Sequence, residues 1–419
     1  MNSTPAPPPS TPRNITMNDL KVSQSFINDA ATLKGVWDLT TGTAIDGTSQ
    51  PASLSIHYDA ATKSYAFNTD ARNETFAVSD ITAQDIYDTA YLRGDAGQSE
   101  MLTLVKQPYT AQAGLRYVAM GFWQSHASAD GRQSNEFSIF TYGLPTASEK
   151  MPRSGAAAYG IDMFGLVTMA GEEPMSFQGK GKFSVDFTRG IFTTQASSAE
   201  YGLVTDKGRS GGGIELRAGG QLSSTGTFSG PAVYGSSYGQ AAGTIAGRFH
   251  GPAGEELGGA FQTANAAGMA AVGAIVGSRD ASQTPDQQTL TGMTAEHIFY
   301  ARHDTNNFGS LHWLNAETFD YSGYSSDMVG GRFTSNDKIP GKNPNFITYT
   351  KSGDNGYGQQ DVVLELYKPG SANTELALTY ASFGHWAGTR AGSTQHTYFT
   401  YGFTTGSNFS GGPDRHRTL

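Results

Sequence analysis

At 419 residues the chain exceeds the roughly 100–200 residues of one ordinary domain, so it holds more than one hydrophobic core. A net charge of −9, with no clustered lysine or arginine stripe, excludes a surface built for nucleic-acid phosphates, and the absence of cysteine excludes disulfides, thiolate metal sites and cysteine nucleophiles. No apolar run approaches the ~18 residues that span a bilayer as a helix.

The N-terminal tract Asn2–Pro12 is rich in proline and serine and cannot bury a core, so residues 1–13 are expected to be an extended spacer. From about residue 35 the text alternates apolar and polar residues with period two, which is the strand signal. Leu54–Tyr58 and Ser64–Phe67 read as a hairpin, and Met101–Val105, Tyr117–Trp123 and Phe137–Tyr142 as the strands that follow. Only Ile81–Asp88 reads as a helical turn or two.

Between Ser154 and Ser278 glycine becomes dense and eight short strands recur every eight to twelve residues. They begin at Ala156, Gly181, Gly190, Gly213, Gly226, Ala242, Glu256 and Met269. Eight evenly spaced antiparallel strands predict a closed up-and-down barrel, in which small inward residues let the wall close around its own side chains. Gln283–Gln288 reads as a polar linker and the residues after 406 as a frayed tail.

Two stretches copy one another across the barrel. Tyr117–Trp123 and Phe140–Gly143 return as Tyr380–Trp386 and Phe399–Gly402, at offsets of 263 and 259 residues. Lys106 pairs with Lys368, Phe76 with Phe333 and Asp80 with Asp337. Trp123 and Trp386 hold the same place in both copies, which favours a packing role. The fold expected is therefore all-β: an antiparallel sheet domain (14–150), an eight-stranded up-and-down β-barrel (151–282) and a second sheet domain (283–406), followed by a flexible tail (407–419).

Gly247-Arg-Phe-His-Gly-Pro252-Ala-Gly-Glu-Glu256-Leu-Gly258-Gly-Ala-Phe261 is the most specific segment. It resembles the barrel signature of the transferrin-binding protein B family of bacterial surface lipoproteins, with His250 where that family usually has tyrosine. The resemblance implies a handle-like sheet, a barrel and a second handle-like sheet. It also implies a non-enzymatic role: binding an extracellular protein or an iron-related solute at the cell surface and assisting a TonB-dependent outer-membrane transporter. The Pro/Ser tract is similar to the spacer behind such a lipoprotein's lipidated cysteine, so the membrane is met only through a lipid anchor. The alternative is an adhesion or immune-evasion protein that binds host macromolecules without transport; a carbohydrate-active enzyme is a third reading. An acidic chain is steered towards a basic partner.

Binding residues are sought at loop tips, which a rigid scaffold leaves free to vary. The tips Ser125–Asn135 and Ala387–Gln395 differ in length and content, which nominates His126 and Arg132 in one and Arg390 in the other. Lys207 and Arg209 supply charge at a glycine-rich barrel tip, and Tyr234 and Tyr238 in another barrel loop offer amphipathic rings. Gly235-Ser-Ser237-Tyr-Gly239 formally matches a serine-hydrolase elbow but lacks the following helix. His303-Asp304 is the nearest approach to a metal pair, although no His-x-x-x-His spacing supports it. No catalytic residue, metal or cofactor is expected, and Glu172-Glu173 and Glu255-Glu256 read as solvated turn residues.

Overall fold

The computed structural model describes residues 13–403 apart from 96, 108–113, 287–288, 292, 294–296, 304–307, 316–317, 324–330, 355–358, 371–372, 374 and 391. Its described residues form two antiparallel sheets with a closed barrel between them in sequence, and three single 3-10 turns are the helical content among them. The chain is all-β, as the alternation predicts.

The barrel strands are Ala156–Met169, Met175–Asp186, Ile191–Gly202, Gly208–Leu222, Thr227–Ser236, Gly239–His250, Glu256–Ala264 and Met269–Arg279. Each pairs with its successor, and the first closes on the last from Tyr159↔Arg279 to Met169↔Met269. Glycine lets the wall curl because phenylalanine rings of neighbouring strands lie over it. A Cβ on Gly165 would stand 2.2 Å from Phe177 Cζ, one on Gly247 2.3 Å from Phe228 Cζ, and one on Gly273 2.4 Å from Phe261 Cζ. Those rings fill the interior: Phe177 stacks on Tyr234 at 4.4 Å and Phe183 on Phe192 at 4.9 Å. The barrel is a packed core rather than a container.

The two sheets share one topology. In the first, strand Gln24–Asp38 lies between Ser55–Asp59 and Arg132–Gly143, and the order continues through Val118–Ala129, Gln98–Val105, Asp88–Gly94 and Ile81–Gln84. In the second, His297–His303 pairs with Ser393–Gly402, followed by Ala381–Arg390, Gln359–Tyr367, Phe346–Asp354 and Lys338–Ile339. The repeat extends to details. Phe76 and Phe333 are fully buried, and each precedes a 3-10 turn whose third residue, Asp80 or Asp337, accepts a hydrogen bond from the backbone N–H at its start. Lys106 and Lys368 each donate to a loop carbonyl, of Asp85 and Pro344.

Trp123 and Trp386 are both fully buried and cross-strand from Leu102 and Leu364. Their surroundings differ at the indole nitrogen. Trp123 donates to Glu100 at 2.6 Å, beneath the Arg72 guanidinium at 3.8 Å from the ring centroid. Val362 stands in the second sheet at the register of Glu100, and the Trp386 nitrogen has no hydrogen-bond partner among the described residues.

Two expectations require correction here. Residues 81–84 are a strand rather than a helical turn; the turn is Val78–Asp80, one step earlier, and a register shift between Ile81 and Ala83 hides the strand's alternation. Tip Ser125–Asn135 is mostly ladder, because Val118–Ala129 and Arg132–Gly143 pair up to Ala129↔Arg132. Only Asp130 and Gly131 turn the chain, at φ 52° and 72°, the paired positive values of a type I′ turn. Linker residue Asp286 is bound to the barrel, accepting from Lys182 Nζ at 2.5 Å and Ser184 Oγ at 3.0 Å.

Candidate functional site

The first sheet lies flat on the barrel wall. Leu33, Val118, Met120, Phe122, Phe137 and Ile139 pack against Leu166, Ala260, Ala270, Val272, Ala274 and Val276. Arg248 grips Asp29 through two nitrogens at 2.7 and 2.8 Å. Glu256 corrects its reading as a turn solvator. It is buried, and its carboxylate accepts from the backbone N–H groups of Arg116, Tyr117 and Val118 at 2.7, 2.7 and 3.0 Å. Burial pushes its pKa up against the opposing pull of those three N–H groups.

This docking brings the edge of the first sheet beside one end of the barrel, where four barrel hairpins turn. Ala44 exchanges backbone hydrogen bonds with the Gly171–Glu172 turn at 2.7 and 2.8 Å, and a Cβ on Gly42 would lie 3.1 Å from Val204 Cγ1. Leu39 N donates to Gly131 O at 2.9 Å, joining the Asp130–Gly131 hairpin to the same edge. Glu173 fixes the next hairpin by accepting from Val204 N, Thr205 N and Thr205 Oγ1 at 2.7, 2.6 and 2.9 Å. Partial burial disfavours its charge, but hydrogen bonds from Thr205 and Val204 outweigh that and hold its pKa below the usual range. Tyr238 Oη donates to Glu173 O at 2.5 Å while Arg209 lies over the Tyr238 ring, and burial pushes that phenol up to about 12.

One continuous rim results, running from Arg132 through residues 38–45 to Glu173, Arg209 and Tyr238. It carries exposed Leu39, Ile45, Leu203 and Val204, with Val204 63% exposed. His126 sits just inside, hydrogen-bonded to Asn135 at 2.7 Å in a crevice shared with Trp37, Phe164 and Leu203. Sequence reasoning missed the four aliphatic residues. They read as ordinary strand ends, and only the handle-to-barrel docking shows that they stand on one edge.

Of the seven residues nominated from sequence, His126, Arg132, Lys207, Arg209 and Tyr238 fall on or beside this rim. Tyr234 does not lie in a loop. It is in strand Thr227–Ser236, fully buried in the barrel, with its hydroxyl donating to Glu200 at 3.2 Å. Arg390 ends a strand of the other sheet, and its side chain lies outside the described residues, as do the side chain of His303 and the whole of Asp304. Ser237 sits between two barrel strands, where an elbow needs a helix, and its Oγ meets Arg209 and Met175. Among the described residues no three His, Asp or Glu side chains converge as metal ligands.

A second concavity, of about 860 Å³, lies between the barrel's opposite end and the second sheet, bounded by Phe187, Arg189, Tyr380 and Phe403. Arg189 donates there to Tyr380 Oη at 3.0 and 2.8 Å and also binds Asp186. Its charge is spent on holding the two parts together.

Neither a family profile nor any curated protein sequence matches the chain. Solved structures similar to it include a transferrin-binding protein B from Haemophilus parasuis Hp5, at 10% identity over 61% of this chain and 76% of that one (TM-score 0.33). Another is the isotype 1 protein from serogroup B Neisseria meningitidis, at 12% identity over 55% and 52% (TM-score 0.30). A third is a surface lipoprotein, at 12% identity over 60% and 98% (TM-score 0.32). At such identities the likeness is one of fold alone.

Proposed function

We propose that the chain is a non-enzymatic, lipid-anchored bacterial surface protein whose rim of barrel hairpins and first-sheet edge binds an extracellular protein or an iron-related solute and assists a TonB-dependent outer-membrane transporter. The observation that carries the binding role is the rim itself. Four exposed aliphatic side chains stand among Arg132, Lys207, Arg209 and Tyr238, two on the first-sheet edge and two on the hairpin held by Glu173, an apolar centre with a polar margin suited to protein recognition. The filled barrel supports an external site, because its interior rings leave the loops as the place for a ligand. The surface and transport parts of the reading rest on the likeness of Gly247–Phe261 to the lipoprotein barrel signature and on the Pro/Ser tract.

The test is affinity capture with the purified chain from solubilised envelope and from growth medium, run in parallel with the L39E/V204E variant. A TonB-dependent receptor or a metal-carrying protein retained by the parent and reduced at least tenfold by the variant is the expected result. Equal capture by both removes the rim from the proposal, and host glycoprotein or matrix alone replaces uptake with adhesion.

A further inference from the structure

The outer face of the second sheet differs in chemistry from its counterpart. In the first sheet this face is Phe122, Phe137 and Ile139, buried beneath the barrel. By the shared register, with Gly121 matching Gly384 and Phe140 matching Phe399, the corresponding residues are His385, His396 and Tyr398. His396 and Tyr398 are exposed, Tyr398 by 58%, so the second sheet turns two imidazoles and a phenol outward where the first turns apolar groups onto a wall.

These imidazoles are arranged. Glu365, on the neighbouring strand, places Oε2 3.1 Å from His385 Nδ1. A carboxylate can only accept, so Nδ1 carries the hydrogen, and Nε2 is the nitrogen that faces away from Glu365. That Nε2 lies 2.9 Å from His396 Nδ1, and the rings are within 9° of parallel. Tyr398 stacks on His385 at 4.6 Å and limits its rotation.

We infer that His385 and His396 form a surface site for a divalent transition metal of the Cu2+ or Zn2+ class, with Glu365 as the positioning residue. Carboxylate to imidazole N–H, with the opposite nitrogen turned to the ion, is the arrangement that orients metal-binding histidines. Two imidazole nitrogens ~2.0–2.1 Å from one ion and about 90° apart at it stand about 2.9 Å from each other. The ion displaces the hydrogen bond between the rings and lies to one side of the line joining the nitrogens: exposed His396 turns to direct Nδ1 at it and carries its proton on Nε2, and water fills the remaining positions. Imidazole donors place Cu2+ above Zn2+ in affinity.

Calorimetric titration of the full chain with CuCl2 and ZnCl2, with nitrogen hyperfine coupling of the copper form read by electron paramagnetic resonance, tests the site independently of the rim. The expected result is one Cu2+ per chain with two coordinated nitrogens, lost in H385Q and in H396Q and retained in H57Q, whose histidine lies on strand Ser55–Asp59 of the first sheet beside Ser25. E365Q weakens binding by about 10- to 100-fold without removing a nitrogen from the spectrum. Circular dichroism of the exposed-residue variants shows whether the fold is kept; if H396Q does not fold, H396N and the parent spectrum decide. Absence of binding to the parent, a single-nitrogen spectrum, or unchanged binding in H385Q and H396Q overturns the inference.

Discussion

His250 shows how a single side chain sets a property of the whole fold. It closes strand Gly239–His250 beneath the first sheet, is 1% exposed, and forms a bridge with Pro145. Burial, reinforced by the nearby Arg248 charge, lowers its pKa from 6.5 to about 3. The folded form therefore stays neutral where the unfolded chain takes up a proton. Stability from this group is fully present above pH 6.5 and is lost as the pH falls towards about 3. Between pH 7.5 and pH 5 the loss is about 2 kcal/mol. H250F removes the titration, so chemical denaturation of the variant should show a flatter fall in stability over that interval, whatever its absolute value. Parallel slopes for parent and variant would refute the assignment. The sequence displays the histidine, but not its burial, which depends on contacts from Gly143 to Pro145 about a hundred residues earlier.

Strands and their repeat were the most legible part of the molecule. The drop in offset from 263 to 259 reports the hairpin geometry directly: six residues follow Trp123 before its turn and four follow Trp386, so each arm of the second hairpin is two residues shorter. The glycines explain why the copies match so closely. A Cβ on Gly121 would stand 2.6 and 2.8 Å from the Phe140 ring and 3.0 Å from Thr103 O, and one on Gly384 would meet Phe399 in the same way. Phe140 is held by Phe67 and Tyr142 at 5.3 and 5.7 Å and cannot withdraw. G121A should cost about 2 kcal/mol by overpacking, read as a lower urea midpoint with an unchanged slope; a cost under about 0.5 kcal/mol would show that the ring yields. Glu256 was misread for the opposite reason. An acid beside a turn is ordinarily solvated, and its three backbone partners lie 138 to 140 residues earlier in the chain.

At the scale of the molecule, the two sheets are joined to the barrel by unequal means. The first sheet shares an apolar interface with it and adds the Arg248–Asp29 pair and buried Glu256. The second is joined through Ile191 in its core, the Arg189–Tyr380 contact and the Asp286 tether. Since burial of apolar surface is what couples parts into one cooperative transition, we propose that residues 14–282 unfold together and 283–406 separately. Scanning calorimetry should resolve two transitions. E256Q strands backbone N–H groups at the first joint, a loss of about 3 kcal/mol, and should lower one transition by several degrees while the other stays in place. Brief proteolysis at a temperature between the two should cut after residue 282 and leave a fragment with the barrel and first sheet intact. A single transition that E256Q moves as a whole would mean instead that Arg189 and Asp286 couple the second sheet to the barrel as firmly as the apolar wall couples the first.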